Sequence, residues 1–294
     1  MGKIILPNEI FGRPVKGAME RILANPEPRP VMQGTNPSTT PITPATNIND
    51  PENYLILPGK KHGSYEYPDL LVGMHRLGFN QNVEQAARQL GLSLQDTAKE
   101  YDGKGPGYIG NIQWKPSMLL NLKLGGETLN PRQHRDFVEM LISGNASDGK
   151  GKRVPKDKLD QILDEIMGVR NPWRAEWLDA DFKILNKKGE VVSDKGELHL
   201  LSRHILQNGV LVPTYKANIE GKYLASDSQI DATSFNEYGL ATKVGTDFYQ
   251  WFPRKDNNSV ARFCAGSGRA GLGCDGGPGD SDSGLGVRHV RKKI

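Results

Sequence analysis

Long apolar stretches are missing from this chain. None of its hydrophobic runs approaches the roughly 20 residues that a membrane-spanning helix needs. Residues 1–13 also lack the charged and then apolar pattern of a secretory signal. We therefore expect no membrane span and leave the location open, because surface association or secretion would require a partner or a non-standard export route.

Cysteine and excess charge are also scarce. The 294 residues include two cysteines, Cys264 and Cys274, which could form one disulfide bond but cannot make a disulfide scaffold. The formal net charge is +4, and much of the excess lies at the C-terminus, so we do not expect nucleic acid as a partner. The apolar fraction of 36% is sufficient for a hydrophobic core in a chain of this length.

The spacing of reactive residues is not typical of a catalytic or metal site. The histidines are scattered, and no Ser-His-Asp arrangement can be named. Residues 266–271 match the GxGxxG fingerprint of dinucleotide-binding proteins, but that motif needs a strand before it and a helix after it. Asp275, Asp280 and Asp282 resemble a calcium loop that lacks its closing glutamate. We predict no catalytic residue, no metal and no cofactor.

The order of predicted elements favours an α+β fold. Residues 1–50 form an extension that ends in a proline- and threonine-rich linker, and residues 51–294 form the folded domain. Strands are predicted at residues 54–57, 67–72, 248–252, 260–263 and 286–290. Helices lie between the early and the late strands, so alternating βαβ units are not expected.

Several elements have clear signals at their ends. Asn82 and Asn130, each followed three residues later by glutamine, are predicted N-caps of two helices, the second of which ends at Gly144. A third amphipathic helix is predicted over residues 157–167. Asn208 precedes a glycine between two apolar runs, which predicts a β-hairpin.

The C-terminal run has an unusual deficit. Residues 256–290 contain no Lys, Glu, Gln, Met or Trp, although these five types make up about one residue in five of the whole chain. A simple bias toward small residues is one explanation, since glycine, serine and aspartate fill much of the run.

Several segments of the chain resemble the variable proteins of diversity-generating retroelements, in particular the archaeal kind. The resemblance covers residues 52–294, and it rests on residues 56–64, 171–178, 259–263, 267–270, 278 and 285–292. In that family an error-prone reverse transcriptase rewrites a C-terminal segment, chiefly at asparagine codons of the AAY type, and causes massive sequence variation. Such rewriting never yields Lys, Glu, Gln, Met or Trp, which is the set missing here.

The resemblance implies a C-type-lectin-like fold, with helices preceding a small, mostly antiparallel sheet and with residues 251–294 as the variable region. Rewritten side chains in this family stand on a rigid frame. The implied ligand-binding positions are Cys264, Gly266, Gly271, Gly273, Asp275, Gly276, Gly277, Gly279, Asp280, Asp282 and Gly284. The implied frame is Val260, Ala261, Phe263, Ala265, Arg269, Ala270, Leu272, Leu285, Gly286, Val287 and Val290. Cys274 could belong to either set.

The function that the resemblance implies is ligand binding without catalysis. Its partner would be a protein or surface ligand on another cell or virus. One alternative is a formylglycine-generating-type enzyme, which shares the lectin-like fold and uses a cysteine pair. Another is a structural attachment module docked through residues 1–50. Sugar binding is not implied, because the chain has no Glu-Pro-Asn or Trp-Asn-Asp calcium–sugar motif.

Overall fold

A computed structural model describes residues 9–10, 13–14, 48–96, 107–169 and 173–293. Most of the predicted extension and linker at residues 1–50 therefore lies outside the described residues. Within that extension, strand β1 (Glu9–Ile10) pairs with β2 (Arg13–Pro14). Asn171 and Pro172, which belong to a segment that carries the family resemblance, also lie outside the described residues.

The remaining strands form one large sheet and two small ones. In chain order they are β3 (Tyr54–Leu57), β4 (Lys60–His62), β5 (Tyr65–Tyr67), β6 (Leu70–Arg76), β7 (Gln95–Asp96), β8 (Ile109–Gly110), β9 (Arg174–Leu185), β10 (Glu197–Gln207), β11 (Val210–Asn218), β12 (Ser228–Ile230), β13 (Phe248–Trp251), β14 (Ser259–Ala265), β15 (Ala270–Gly276) and β16 (Leu285–Lys292). β4 pairs with β5 and β7 with β8, and the other ten form the large sheet.

Strand β9 lies at the centre of the ten-stranded sheet, whose main order is β12-β13-β15-β14-β9-β16-β6-β3. One edge of β9 pairs with β14. Its other edge pairs first with β16, around Ala175 to Trp177, and then with β10, from Asp181 to Leu185. β11 continues the sheet beyond β10. The sheet is mixed, because β9–β16 and β13–β15 are parallel pairs while the other pairs are antiparallel.

The prediction of a small sheet is wrong. The twelve residues of β9 are long enough to pair with two different strands along one edge. The β10–β11 hairpin and the β12–β13 pair then extend the sheet on both sides. The fold is accordingly a mixed α/β arrangement around a large sheet.

The helices are α1 (Gln81–Gln89), α2 (Trp114–Lys123), α3 (Pro131–Ser143) and α4 (Lys156–Met167), and a 3-10 turn spans Pro51–Asn53. Helix α3 confirms its prediction, since Asn130 accepts a hydrogen bond from the Gln133 amide at 3.0 Å and Gly144 ends the helix at φ 67°. Helix α1 corrects its prediction, because Asn80 rather than Asn82 is the N-cap. Among the described residues, no helix is long and apolar enough to cross a membrane.

Both faces of the sheet are covered by hydrophobic core. Alternate residues of β9, including Phe182, pack with α3 and α4 on one face, together with Phe263 and Leu272. Trp177 and its neighbours pack with α1 and α2 on the opposite face. From Asp179 to Ile184, β9 alternates charged and apolar residues, but its charged residues are buried or half-buried rather than exposed.

Candidate ligand-binding face

The glycine-rich run folds as two strands, two connections and a third strand. β14 leads through a tight turn into β15, and the Gly266 amide donates to the Arg269 carbonyl at 3.0 Å across that turn. A loop at residues 277–284 then leads into β16. The GxGxxG sequence therefore runs into strand β15 and not into a helix. A dinucleotide-binding motif would be followed by a helix. β15 is a strand that was not among those predicted from the sequence.

The register between β14 and β15 separates core residues from outward residues. Phe263 lies opposite Leu272, and both side chains belong to the core beneath α3 and α4. Since successive side chains in a strand point to opposite faces, the intervening positions face away from that core. We call these outward positions the display face, which comprises Arg262, Cys264, Gly271, Gly273 and Asp275.

Aromatic rings flank the display face on both sides. The Arg262 guanidinium lies 5.7 Å from the centre of the Trp173 ring and 5.9 Å from that of Trp177. On the β13 side, Tyr249 and Trp251 have ring centres 4.6 Å apart, and Arg269 lies 4.3 Å from the Tyr249 ring. Each arginine is thus held at cation–π distance. The glycines between them leave a shallow floor bounded by aromatic and cationic side chains.

The glycines of this region differ in the room they leave for a side chain. A Cβ on Gly271 would stand 2.3 Å from the Tyr249 carbonyl oxygen and 2.8 Å from the Trp251 ring. At Gly273 the nearest neighbours would be at 3.4 Å or more, at Gly266 at 3.7 Å, and at Gly279 nothing lies within 4 Å. Gly266, Gly273 and Gly279 can therefore accept side chains, whereas the backbone of β13 blocks Gly271.

Gly276, the last residue of β15, and Gly277, which follows it, leave less room for a side chain than Gly273 but more than Gly271. A Cβ on Gly276 would lie 3.1 Å from the Val260 carbonyl oxygen, which is part of the neighbouring strand. A Cβ on Gly277 would lie 2.8 Å from a carboxylate oxygen of Asp280, which is the movable end of a side chain. A larger residue is thus easier to place at position 277 than at position 276.

The loop at residues 277–284 is held in place by hydrogen bonds. Asp280 accepts from the Arg262 guanidinium at 2.9 Å and from the Gly277 amide at 3.1 Å. Asp282 accepts from the Gly284 amide at 2.8 Å, and the Gly284 carbonyl accepts from Arg76 at 2.7 Å. The two aspartate side chains stabilise turns, which accounts for them without a calcium ion. Within the described part of the chain, no group of three or more His, Cys, Asp or Glu side chains is arranged to hold a metal.

The implied ligand-binding positions are not all at the surface. Those that are exposed or half-buried are Cys264, Gly266, Asp275, Gly277, Gly279, Asp280 and Asp282, and those that are buried are Gly271, Gly273, Gly276 and Gly284. Nearly all of the implied frame is buried, with the exceptions of Ala270, which is half-buried, and Arg269, which is exposed. Cys274 is fully buried with the frame.

The two cysteines lie on opposite faces of the sheet and form no bond with each other. Cys264 pairs with Gly271 on the display face, whereas Cys274 lies in the core with Phe263 and Leu272. Burial raises the pKa of the Cys264 thiol to about 11 and raises the pKa of Cys274 well above its usual range. Both side chains are therefore protonated thiols at neutral pH, and neither is an activated nucleophile.

A buried charged cluster lies near the display face and was missed in the sequence. Arg288 donates to Glu176 at 3.0 Å and to Glu165 at 3.4 Å, while His75 contacts Glu165 at 2.5 Å. Burial opposes ionisation of Glu165, but the charges of His75 and Arg288 outweigh it and hold the pKa of Glu165 well below its usual range. The available signal was a charged residue inside an apolar strand, such as Arg288 after Val287.

Comparison with known proteins does not assign the chain to a group: no known protein family, no characterised protein and no solved structure matches it.

Proposed function

We propose that this protein is a non-enzymatic ligand-binding protein whose C-terminal surface is diversified by retroelement mutagenesis. The display face and the loop at residues 277–284 carry the variable side chains, and the core strands hold them in place. A C-type-lectin-like arrangement of the domain is part of this proposal. Its partner is a protein or other surface ligand.

The alternation of outward and inward positions along β14 and β15 carries this proposal. Gly273 and Asp275 point away from the core beneath α3 and α4, while Phe263 and Leu272 point into it. Cys264 also points away from that core, but it is half-buried and packs against the core beneath α1 and α2. A surface that changes by mutation must leave the core untouched, because core substitutions are felt at the scale of a single methylene. The absence of five residue types across residues 256–290 is independent support from the sequence.

The geometry refines the set of variable positions. Gly266, Gly273 and Gly279 have space for side chains, Asp275 is half-buried, and Asp280 and Asp282 are exposed. Gly271 fits the frame better than the variable set, because a side chain there would require β13 to move. The proposed ligand-contacting surface is therefore narrower than the resemblance alone implied.

This copy of the surface should bind weakly. Interface energy is concentrated in tyrosine, tryptophan and arginine side chains, and the variable positions here are mostly glycine and aspartate. The flanking Arg262 is engaged by Asp280. We expect little affinity for most ligands, and a tight, specific partner that contacts residues 264–284 would contradict this expectation.

The cysteine geometry does not favour the enzyme alternative. A catalytic cysteine pair must bring two thiols together, whereas Cys264 and Cys274 are on opposite faces of the sheet. The binding proposal predicts no difference between the unmodified protein and Cys264→Ser in any activity on formylglycine-type substrates. Loss of a measurable activity on formylglycine-type substrates in that variant would support the enzyme instead.

The decisive experiment is to sequence the DNA around the gene. We expect a near-copy of the segment that encodes residues 251–294, differing only where the copy has adenine, together with a reverse transcriptase gene. Sequencing the gene from a population should then show changes at positions 266, 273 and 279 but not at 263 or 272. Absence of the near-copy, or changes concentrated at core positions, would contradict the proposal.

A further inference from the structure

A second concave surface lies far from the display face, at the end of β9. It has a volume of about 470 Å³. It is formed by the connection between β9 and β10 and by the adjoining part of β11. Its lining includes Lys187, Lys188, Lys195 and Lys216, and we call this surface the lysine cleft.

The four lysines of the cleft converge without acidic partners. All four are exposed, and none is within ion-pair distance of a carboxylate among the described residues. One glutamate, Glu197, is itself part of the lining and accepts from the Asn218 side-chain amide at 2.5 Å, and Glu190 accepts from Asn186 at 2.8 Å. The lining therefore holds four lysines and one carboxylate, which leaves an excess of positive charge. Positive charges gathered in a concave surface raise the local potential and attract anions.

Hydrogen bonds within the β9–β10 connection fix the backbone that forms one side of the lysine cleft. The Asn186 side chain accepts from the amides of Lys188 and Glu190 at 2.9 Å and 3.0 Å, which fixes the turn after β9. Gly189 has φ 80°, a conformation that suits glycine. The ammonium of Lys216 reaches this turn from β11, since it lies 2.8 Å from where a Cβ on Gly189 would stand. Residues distant in the sequence thus contribute charge to one site.

The lysine cleft and the display face are at opposite ends of β9. Arg174, at one end of the strand, pairs with Ala265 beside the display face, while Leu185, at the other end, lines the cleft. The twelve residues of β9 are separated by eleven steps of about 3.3 Å, so the strand is about 36 Å long. The two surfaces share no residue, so a ligand in the cleft leaves the display face free.

We propose that the lysine cleft binds a compact polyanion that carries at least two phosphate or sulfate groups. The volume is that of a small-molecule site. Lysine ammoniums on flexible stems suit phosphate oxygens as point charges. The lining residues include no Phe, Tyr or Trp, and His199 supplies a single ring, which disfavours single-stranded nucleic acid because successive bases need several stacking platforms. The concave shape disfavours a flat membrane surface.

Calorimetric titration of the purified protein with sodium tripolyphosphate tests this proposal. We expect binding at one site that weakens as NaCl rises from about 50 to about 300 mM, since salt screens the charges. The variant Lys187→Ala with Lys216→Ala should lose at least about tenfold in affinity. The matched control, Lys115→Ala with Lys158→Ala, removes the same charge from exposed positions of α2 and α4 and should stay within about twofold of the unmodified protein.

Several outcomes would overturn the proposal. They are no binding of tripolyphosphate at low salt, an equal loss in both variants, or inorganic monophosphate binding as tightly as tripolyphosphate. Binding of a single-stranded oligonucleotide or of phosphatidylglycerol vesicles that depends on the cleft lysines, without tripolyphosphate binding, would replace the polyanion with those partners. Because the cleft variants leave residues 256–290 intact, none of these results affects the proposal for the display face.

Discussion

At Gly271 the backbone of β13 passes so close to β15 that no side chain fits, while two residues later Gly273 has ordinary space. Both glycines lie on the display face and are indistinguishable in the sequence. The difference comes from the Tyr249 carbonyl and the Trp251 ring, which approach position 271 alone. A glycine that the sequence alone suggests could be replaced, such as Gly271, can therefore be required by the packing of a neighbouring strand.

Substitution at these two positions should separate their roles. Gly271→Ala should lower the free energy of unfolding by about 1–3 kcal/mol, because a Cβ placed 2.3 Å from the Tyr249 oxygen forces the strands apart. Gly273→Ala is the matched control and should change stability by about 0.5 kcal/mol or less. Urea unfolding measures both. Equal effects in the two variants would show that β13 does not constrain position 271.

His289 is a buried histidine that should make stability depend on pH. Its Nδ1 lies 2.8 Å from the Tyr54 hydroxyl, and burial together with the charge of Arg291 lowers its pKa to about 4. The unfolded chain, with a histidine pKa near 6.5, binds this proton first as pH falls. The stabilisation is therefore complete above about pH 6.5 and is lost as pH falls toward about 4.

We expect His289 to account for about 2 kcal/mol of the stability lost between pH 7 and pH 5. His289→Gln should flatten the dependence of unfolding free energy on pH in this range, whatever its effect at pH 7. If His289→Gln retains the slope of the unmodified protein, His289 is not the titrating group.

Among the elements, β16 is joined to its neighbours by a buried arginine as well as by backbone pairing. Arg288 donates to the carbonyls of Gly73 and Met74 on β6 at 2.9 Å and 2.7 Å. It also contacts Glu176 on β9 and Glu165 on α4. One side chain thereby connects three elements beneath the C-terminal strand.

Removing this arginine should be costly. Arg288→Met removes the guanidinium that two buried carboxylates share and should lower the free energy of unfolding by about 3–5 kcal/mol. Arg88→Met removes an exposed arginine that pairs with Glu84 one helical turn away, and it should cost less than about 0.5 kcal/mol. Chemical denaturation compares them. A small loss for Arg288→Met would mean that the cluster adds little beyond packing.

Elements with local signals were predictable, and elements defined by distant contacts were not. Helix α3 has an N-cap, a first-turn proline and a terminal glycine in its own sequence. Likewise, Asn208 and Gly209 adopt positive φ in the predicted hairpin turn. By contrast, α2 has no side-chain cap, and β15 contains three glycines whose strand conformation depends on pairing with β13 and β14. The strand conformation of β15 is therefore set by its neighbouring strands and not by its own residues.

For the whole molecule, the stability and the displayed surface are carried by different residues. The core on the α3–α4 side includes Phe182, Phe263 and Leu272, and none of the roomy positions of the display face contributes to it. A protein with this separation can change its surface and keep its fold.

A multiple variant tests this separation. Gly266→Ser, Gly273→Ser, Gly279→Tyr and Asp280→Asn combined should shift Tm by no more than about 5 °C, because a Cβ at each glycine would meet its neighbours at 3.4 Å or more and Asp280 is exposed. Leu272→Ala combined with Leu285→Ala should cost about 2–5 kcal/mol at each site and lower Tm much further. Thermal unfolding measures both variants. A collapse of the fourfold variant would contradict the proposed frame.

The sequence by itself determined the capped helix α3, the Asn-Gly hairpin, the mixture of helices and strands, and the absence of five residue types from residues 256–290. These features depend on single residues and on short spacings along the chain, so they can be recognised without knowing any tertiary contact. Only the tertiary structure decided the size of the sheet, the separation of Cys264 from Cys274, and which glycines have room for a side chain. Each of these depends on which strands, distant in the sequence, lie next to each other in the sheet, and the order of residues along the chain does not specify those neighbours.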